Sequence, residues 1–196
     1  MKGILEKNKK FIEEMKKGDK DFFEKLSQGQ HPDTFIISCS DSRVSPSVIM
    51  QSSLGQIFVH RNIANQVIQQ DLSLNAGLYY ALKHLKVKEV AIIGHTDCGG
   101  IKAAYTTSED AEFCVWTAYI RENLPKEDFD KYSLDDLVKI NVLAQVRRVQ
   151  EHPIYKKYGQ NTEVVGYVFH IKTGTLETLD PSDPVEPSAP RGQESS

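Results

Sequence analysis

The sequence predicts an α/β fold: a central, mostly parallel β-sheet flanked by helices, with a helical arm at the N-terminus and an antiparallel edge strand near the C-terminus. Three apolar runs carry this expectation: TFIISC (34–39), QIFVHR (56–61) and EVAIIGH (89–95). They are short and continuous rather than alternating, the pattern of strands covered on both faces. Helical periodicity separates them, over 46–52 and over 72–85, where Leu74, Leu78, Ala81, Leu82 and Leu85 share one side. Strands that alternate with helices build a parallel sheet. With 196 residues, one domain of this kind buries roughly 70% of the surface its unfolded chain exposes, so no disulfide scaffold is needed.

Each element follows in order. Residues 1–28 form the arm, with Ile4, Phe11, Ile12 and Met15, then Phe22, Phe23 and Leu26, at helical spacing; Gly18-Asp19 divides it into two helices. Its eight lysines and six acidic residues read as a solvated face. Its apolar stripe needs a neighbour to cover, and another subunit is the candidate. One α/β domain spans 29–179. Beyond Gly100 the pattern is mostly helical, through Trp116, Tyr119 and Ile120, and a long helix covers 134–150. Ser133 is placed as its N-cap, with Asp136 in an acidic first turn. VVGYVFHIKTGTLETL (164–179) reads as a strand, a K-T-G turn and a second strand. Residues 180–196 hold four of the eight prolines and almost no large apolar side chain, so a disordered tail is expected there.

Composition narrows the function. A net charge of −3 argues against a broad basic surface and a nucleic-acid partner. No apolar run approaches the ~20 residues that span a bilayer, and the charged start lacks the core of a secretory signal. Three cysteines cannot make a disulfide framework, which favours a reducing, cytoplasmic setting.

Two motifs carry chemistry. Cys39-Ser40-Asp41-Ser42-Arg43 ends the first β run, and His95-Thr96-Asp97-Cys98-Gly99-Gly100 ends the third. Both therefore sit at strand C-termini, where α/β sheets bind their ligands. Cys39, His95 and Cys98 can converge there. Two thiolates and an imidazole suit zinc, and three protein ligands leave a fourth position for chemistry. A closed structural site needs a fourth ligand, for which Asp41 is the nearby candidate. Cys114, in AEFCVWTAY, reads as a small core side chain. Asp41 and Arg43 are two apart, so they can pair; a bidentate arginine orients a carboxylate and keeps it ionised.

Cys-Ser-Asp-Ser-Arg, followed by Arg-Asn-Ile-Ala-Asn (61–65) and Gly-His-Thr-Asp-Cys-Gly-Gly (94–100), resembles the β-class carbonic anhydrases over roughly residues 20 to 172. The resemblance implies one zinc per subunit on Cys39, His95 and Cys98. It implies Asp41 and Arg43 as a catalytic dyad, with Asp41 also a metal ligand in a closed state. The finer match is to the plant-like branch. Gln30, nine residues before Cys39, Phe58, nineteen after it, and Tyr80 match that branch's substrate-pocket residues, contributed at a dimer interface. The branch that regulates itself with bicarbonate has a tryptophan where Ile36 stands here. The implied activity is reversible hydration of carbon dioxide through a zinc-bound hydroxide, by a homodimer or homotetramer acting on a small molecule, with neither nucleic acid nor membrane as partner. Hydrolysis of carbonyl sulfide or carbon disulfide on the same scaffold is one alternative, and a zinc-stabilised binding module without turnover is another. His31 and His84 are the candidates to carry the released proton.

Overall fold

A computed structural model of the chain describes residues 2–105, 111–127 and 129–188. Four strands run parallel: β1 (Thr34–Cys39), β2 (Ile57–Asn62), β3 (Glu89–His95) and β4 (Glu163–His170). The sheet order is β2-β1-β3-β4-β5, and β5 (Thr175–Leu179) closes it antiparallel to β4. The three apolar runs are β1, β2 and β3, within one residue at each end. The K-T-G turn joins β4 to β5, with Gly174 at φ 74°, a conformation that only a residue without Cβ takes freely.

The helices are α1 (Lys2–Gly18), α2 (Phe22–Ser27), α3 (Pro46–Ile49), α4 (Leu72–Tyr79), α5 (Gly99–Tyr105), α6 (Ala111–Arg121), α7 (Leu134–Glu151) and α8 (Pro153–Tyr158). Two differ from the sequence reading. The helix expected over 46–52 ends at Ile49, because Gln51 turns left-handed at φ 49°. The helix expected over 72–85 starts as α4 but widens to a π turn over Tyr80–Leu85. Lys86, left-handed at φ 56°, then stops it. Asp71 caps α4 by accepting from the Ser73 and Leu74 N–H groups. Ser133 caps α7 as expected. Asp136 does more than charge the first turn: its carboxylate accepts from the Ser133 N–H, closing a capping box.

The sheet divides its side chains by alternation. Phe35, Ile37, Val90, Ile92 and Val168 face the main core with Leu74, Leu78, Leu137, Val138, Val142 and Val146. Ile36, Ala91 and Ile93 point the other way and cluster with Ile57, Tyr167 and Phe169. Helix α7 lies hard against β3 and β4, where both strands lack a side chain: a Cβ at Gly94 would come within 2.5 Å of Val142, and one at Gly166 within 2.9 Å. The arm is less well covered. Phe11 and Phe22 meet Phe23 edge to face, and Ile4 and Leu5 are exposed.

Of the segment expected to be a disordered tail, residues 180–188 are described and 189–196 lie outside the described residues. Val185 packs half-buried against the core. Ser188 donates its N–H (3.1 Å) and O–H (2.7 Å) to Asp136 Oδ2, the atom that closes the capping box.

The helix–sheet approach predicts that Gly94→Ala lowers stability. Valine cannot swing its methyls aside without leaving its preferred rotamer, so the cost is that of overpacking, about 1–3 kcal/mol. The urea unfolding midpoint should fall with unchanged slope.

Candidate metal centre

The parallel register builds the centre. Ser38 pairs with Ile93, so Cys39 and His95, ending adjacent strands, stand one rung apart across a gap of about 4.8 Å. The chain after His95 then turns back. Asp97 is left-handed at φ 55°, a conformation aspartate tolerates, and the turn swings Cys98 inward before α5 begins. Two bonds brace the turn against β4: Thr96 N–H donates to Phe169 O (3.0 Å) and Ile171 N–H to Thr96 Oγ1 (3.0 Å). The start of α5 must then pass close to the 3₁₀ turn Ile63–Asn65. A Cβ at Gly100 would lie 2.6 Å from Ile63 and 3.1 Å from Ala64, which explains the second glycine of the motif.

The ligand atoms of Cys39, His95 and Cys98 lie within 4.8 Å of one another, and all three residues are buried. His95 Nδ1 sits 2.9 Å from Thr96 O, so Nδ1 carries the hydrogen and Nε2 presents a lone pair. That Nε2 is buried with no hydrogen-bond partner. A buried lone pair without a partner is costly. A metal-ligating histidine whose other nitrogen donates to a carbonyl is the usual arrangement. The donor set, two sulfurs and one such nitrogen, fits zinc.

The electrostatics agree. The hydrogen bond from the Cys98 thiol holds the Cys39 thiol well below its usual range despite burial, aided by His95 and by the Ala64 N–H, 3.4 Å from the sulfur. Cys98 is pushed far up by the Cys39 thiolate and by burial. Burial pushes His95 down, but Cys39 outweighs it and the net shift is upward. The site thus favours a thiolate at Cys39, and a divalent cation would displace the protons that remain on the sulfurs.

Asp41 is held beside this cluster, not in it. Arg43 Nε donates to Asp41 Oδ1 (3.0 Å) and Arg43 Nη2 to Oδ2 (2.8 Å), leaving Oδ2 3.8 Å from His95 Nε2. This fork holds the Asp41 carboxyl at about 2, against its partial burial. Expected also as a fourth metal ligand, Asp41 stands here in Arg43's grip. Arg43 is held in turn by Asp97, through Nη1 to Oδ2 (2.9 Å) and Nη2 to the carbonyl (3.1 Å). Asp97 and Arg61 had no role in the sequence reading. Arg61 donates to the carbonyls of Cys39 (3.0 Å), Asp41 (2.9 Å) and Val44 (2.6 Å), fixing the loop that carries the dyad. The available signal was a guanidinium at the end of an apolar strand, where it must find acceptors.

The expected substrate-pocket residues are not brought to this centre within the chain. Phe58 and Tyr80 stack with centroids 5.8 Å apart. Phe58 pairs with Phe35, four residues before Cys39, so it lies about 13 Å along the sheet from the thiol. Gln30 is exposed in the connection before β1. Cys114, expected in the core, is exposed on α6.

Comparison with known proteins agrees with this geometry. The family model described as carbonic anhydrase matches residues 34–176. A carbonic anhydrase of Emericella nidulans is 38% identical over 187 residues, covering 90% of this chain and 82% of its own length. Among solved structures, the Coccomyxa β-carbonic anhydrase in complex with acetazolamide superposes with a TM-score of 0.82 at 33% identity, covering 90% of this chain and 85% of that one. A tetrameric β-carbonic anhydrase of Sordaria macrospora gives 0.81 at 28% identity, covering 90% and 94%.

Replacing Cys98 with Ala removes one of two sulfur donors from the three-atom cluster. The variant should purify with far less than one zinc per chain by elemental analysis; full occupancy would refute the ligand set.

Proposed function

Because the chain belongs to the carbonic anhydrase family, and is a zinc-dependent enzyme that hydrates carbon dioxide reversibly to bicarbonate, we propose that Asp41 and Arg43 are the catalytic pair through which it does so. The observation that carries this is the fork on Asp41, 3.8 Å from the Nε2 that faces the metal position. Cys39, His95 and Cys98 would hold the zinc, which supplies the Lewis acidity that lowers the pKa of a bound water. Asp41, ionised and acceptor-only, takes a hydrogen bond from the attacking water and so aims its lone pair at the carbon of carbon dioxide. Arg43 keeps Asp41 from taking the fourth position itself. Three ligands with Asp41 restrained leave that position for chemistry, which distinguishes the site from a closed structural zinc.

The substrate pocket is completed by a second subunit: Gln30, Phe58 and Tyr80 serve the centre of the partner. Their distance from the centre of their own chain supports this, as does the exposed apolar arm. The tetrameric Sordaria macrospora relative supports an assembly of two or four chains. We assign the chain to the plant-like branch, on Ile36 and on the match of Gln30, Phe58 and Tyr80. A cytoplasmic setting is supported by the count of three cysteines, too few for a disulfide framework. Among the described residues no helix is long and apolar enough to cross a membrane.

Two measurements test these proposals. Arg43→Ala should keep its zinc but lose about 10- to 100-fold in hydration rate, because the guanidinium fork is gone and only the residue-43 backbone N–H, 2.9 Å from Oδ1, still holds Asp41. Near-normal turnover in a pH-jump assay, run beside a sulfide-release assay with carbonyl sulfide, would refute the dyad. Sedimentation should show active particles of at least twice the 22.1 kDa chain mass; an active single chain would refute the shared pocket.

A further inference from the structure

We propose that the chain beyond β5 is a strap, latched at Ser188, that positions the Asp41–Arg43 pair through the first turn of α7, with Asp135 as the link. The inference rests on reading Asp41 and Arg43 as the catalytic pair.

The grip on Asp41 is only as firm as the grip on Arg43. Arg43 holds both Asp41 oxygens, and its own Nη1 and Nη2 are held by the carboxylate (2.9 Å) and the carbonyl (3.1 Å) of Asp97. Asp97 offers both groups from a left-handed backbone, at φ 55°. That conformation is uphill for a residue with a Cβ, so it persists where the surroundings hold it. The Thr96 bonds brace the turn on its β4 side. On the α7 side, the Asp97 N–H donates to Asp135 Oδ1 (3.3 Å). Arg43, Asp97 and Asp135 also share the wall of one cavity of about 680 Å³ with Ser133 and Leu134. The first turn of α7 is therefore a support of the arginine, although it lies 90 residues further along the chain than Arg43.

The strap fixes that turn. It leaves β5 through a turn at Asp180, whose Oδ1 accepts from the Ser182 N–H (2.8 Å) and O–H (2.6 Å). Val185 then packs against the core. A cavity of about 290 Å³ is lined by Lys139 and Leu143 of α7, Glu177 of β5, and Pro184 and Glu186 of the strap. At its end Ser188 gives its N–H (3.1 Å) and O–H (2.7 Å) to Asp136 Oδ2, which also accepts from the Ser133 N–H (2.8 Å) and O–H (2.7 Å). Burial pushes the Asp136 carboxyl up, but Ser133 and Ser188 outweigh it and the net shift is downward. An ionised acceptor strengthens each of these bonds. Asp135 and Asp136 are neighbours, so a latch on one fixes the backbone that carries the other. Asp135 and Ser188 are positioning residues, acting through Asp97 and Asp136.

The test compares full-length, zinc-loaded wild type with Ser188→Glu, Asp135→Ala and Asp135→Asn, each made also in the Arg43→Ala background. Ser188→Glu sets a second carboxylate against Asp136 and unlatches the strap. Asp135→Ala removes the acceptor of the Asp97 N–H. Each should lower the stopped-flow kcat/KM for carbon dioxide about three- to tenfold, the loss of roughly one hydrogen bond. Asp135→Asn discards the charge but keeps an acceptor oxygen, and should recover most of that loss. In the Arg43→Ala background, Ser188→Glu and Asp135→Ala should each cost less than about twofold further, because the guanidinium they act through is gone. Nitrogen-15 NMR should show the Arg43 Nε–H exchanging with solvent several-fold faster in Ser188→Glu and Asp135→Ala than in wild type. Wild-type rates with unchanged Arg43 exchange in these two variants would overturn the strap. So would losses that persist in full in the Arg43→Ala background, or an Asp135→Asn variant as slow as Asp135→Ala. An Arg43→Ala enzyme with wild-type turnover would instead overturn the catalytic pair, a distinct result.

Discussion

Everything at the centre depends on the register between β1 and β3. Pairing Ser38 with Ile93 sets two donors from distant parts of the sequence across one strand spacing, and the turn at Asp97 adds the third. Slipping this register by one residue would exchange the faces of Phe35 and Ile36, exposing the main-core set of β1 to the wrong side. The burial of the two sheet faces therefore guards the geometry of the metal ligands. The close packing of α7 against Gly94 and Gly166 adjoins the strand end that carries His95. Close packing there transmits little give.

Around the three ligands the charges form an ordered chain. Asp41 is gripped by Arg43, Arg43 by Asp97, and the Asp97 N–H donates to Asp135 at the start of α7 (3.3 Å). Each link is charge-assisted or uses a backbone donor, so a carboxylate that could compete for a cation is held beside the metal position. Arg61 does for the backbone what Arg43 does for the side chain. Its three carbonyl acceptors gather the loop from Cys39 to Val44, a segment without regular structure of its own.

Behind the Ile63–Asn65 turn lies a buried polar cluster. Gln66 donates to Asn141 (2.8 Å) and to Ala64 O (2.8 Å), Asn141 donates to Ala64 O (3.1 Å), and Gln145 accepts from Val67 N–H (2.8 Å). These amides satisfy a backbone that cannot join the sheet, because Ala64 and Asn65 are both left-handed. They hold the Ala64 N–H toward the Cys39 sulfur. Polar residues on the buried side of α7 thus serve the centre, and this explains why Asn141 and Gln145 interrupt an otherwise apolar face.

Much of this was legible in the residues. The continuous apolar runs marked β1, β2 and β3, and the motifs at their ends marked Cys39, His95, Cys98, Asp41 and Arg43, because strand direction and the chemistry of donors are local properties. The end of α3 and the π turn after α4 were not legible, since left-handed conformations at Gln51 and Lys86 leave no mark in side-chain periodicity. Asp97 and Arg61 were missed for another reason: their partners lie 54 and 22 residues away in the chain. His170 likewise reads as one more strand residue until β5 delivers Glu177, 2.7 Å from its Nε2. What the sequence alone determined is which donors exist and at which strand ends they lie, because apolar patterning dictates strands and strands dictate direction. What only the tertiary structure decided is which charges restrain those donors and which face solvent, because such contacts are made by register and helix packing between segments that no local pattern connects.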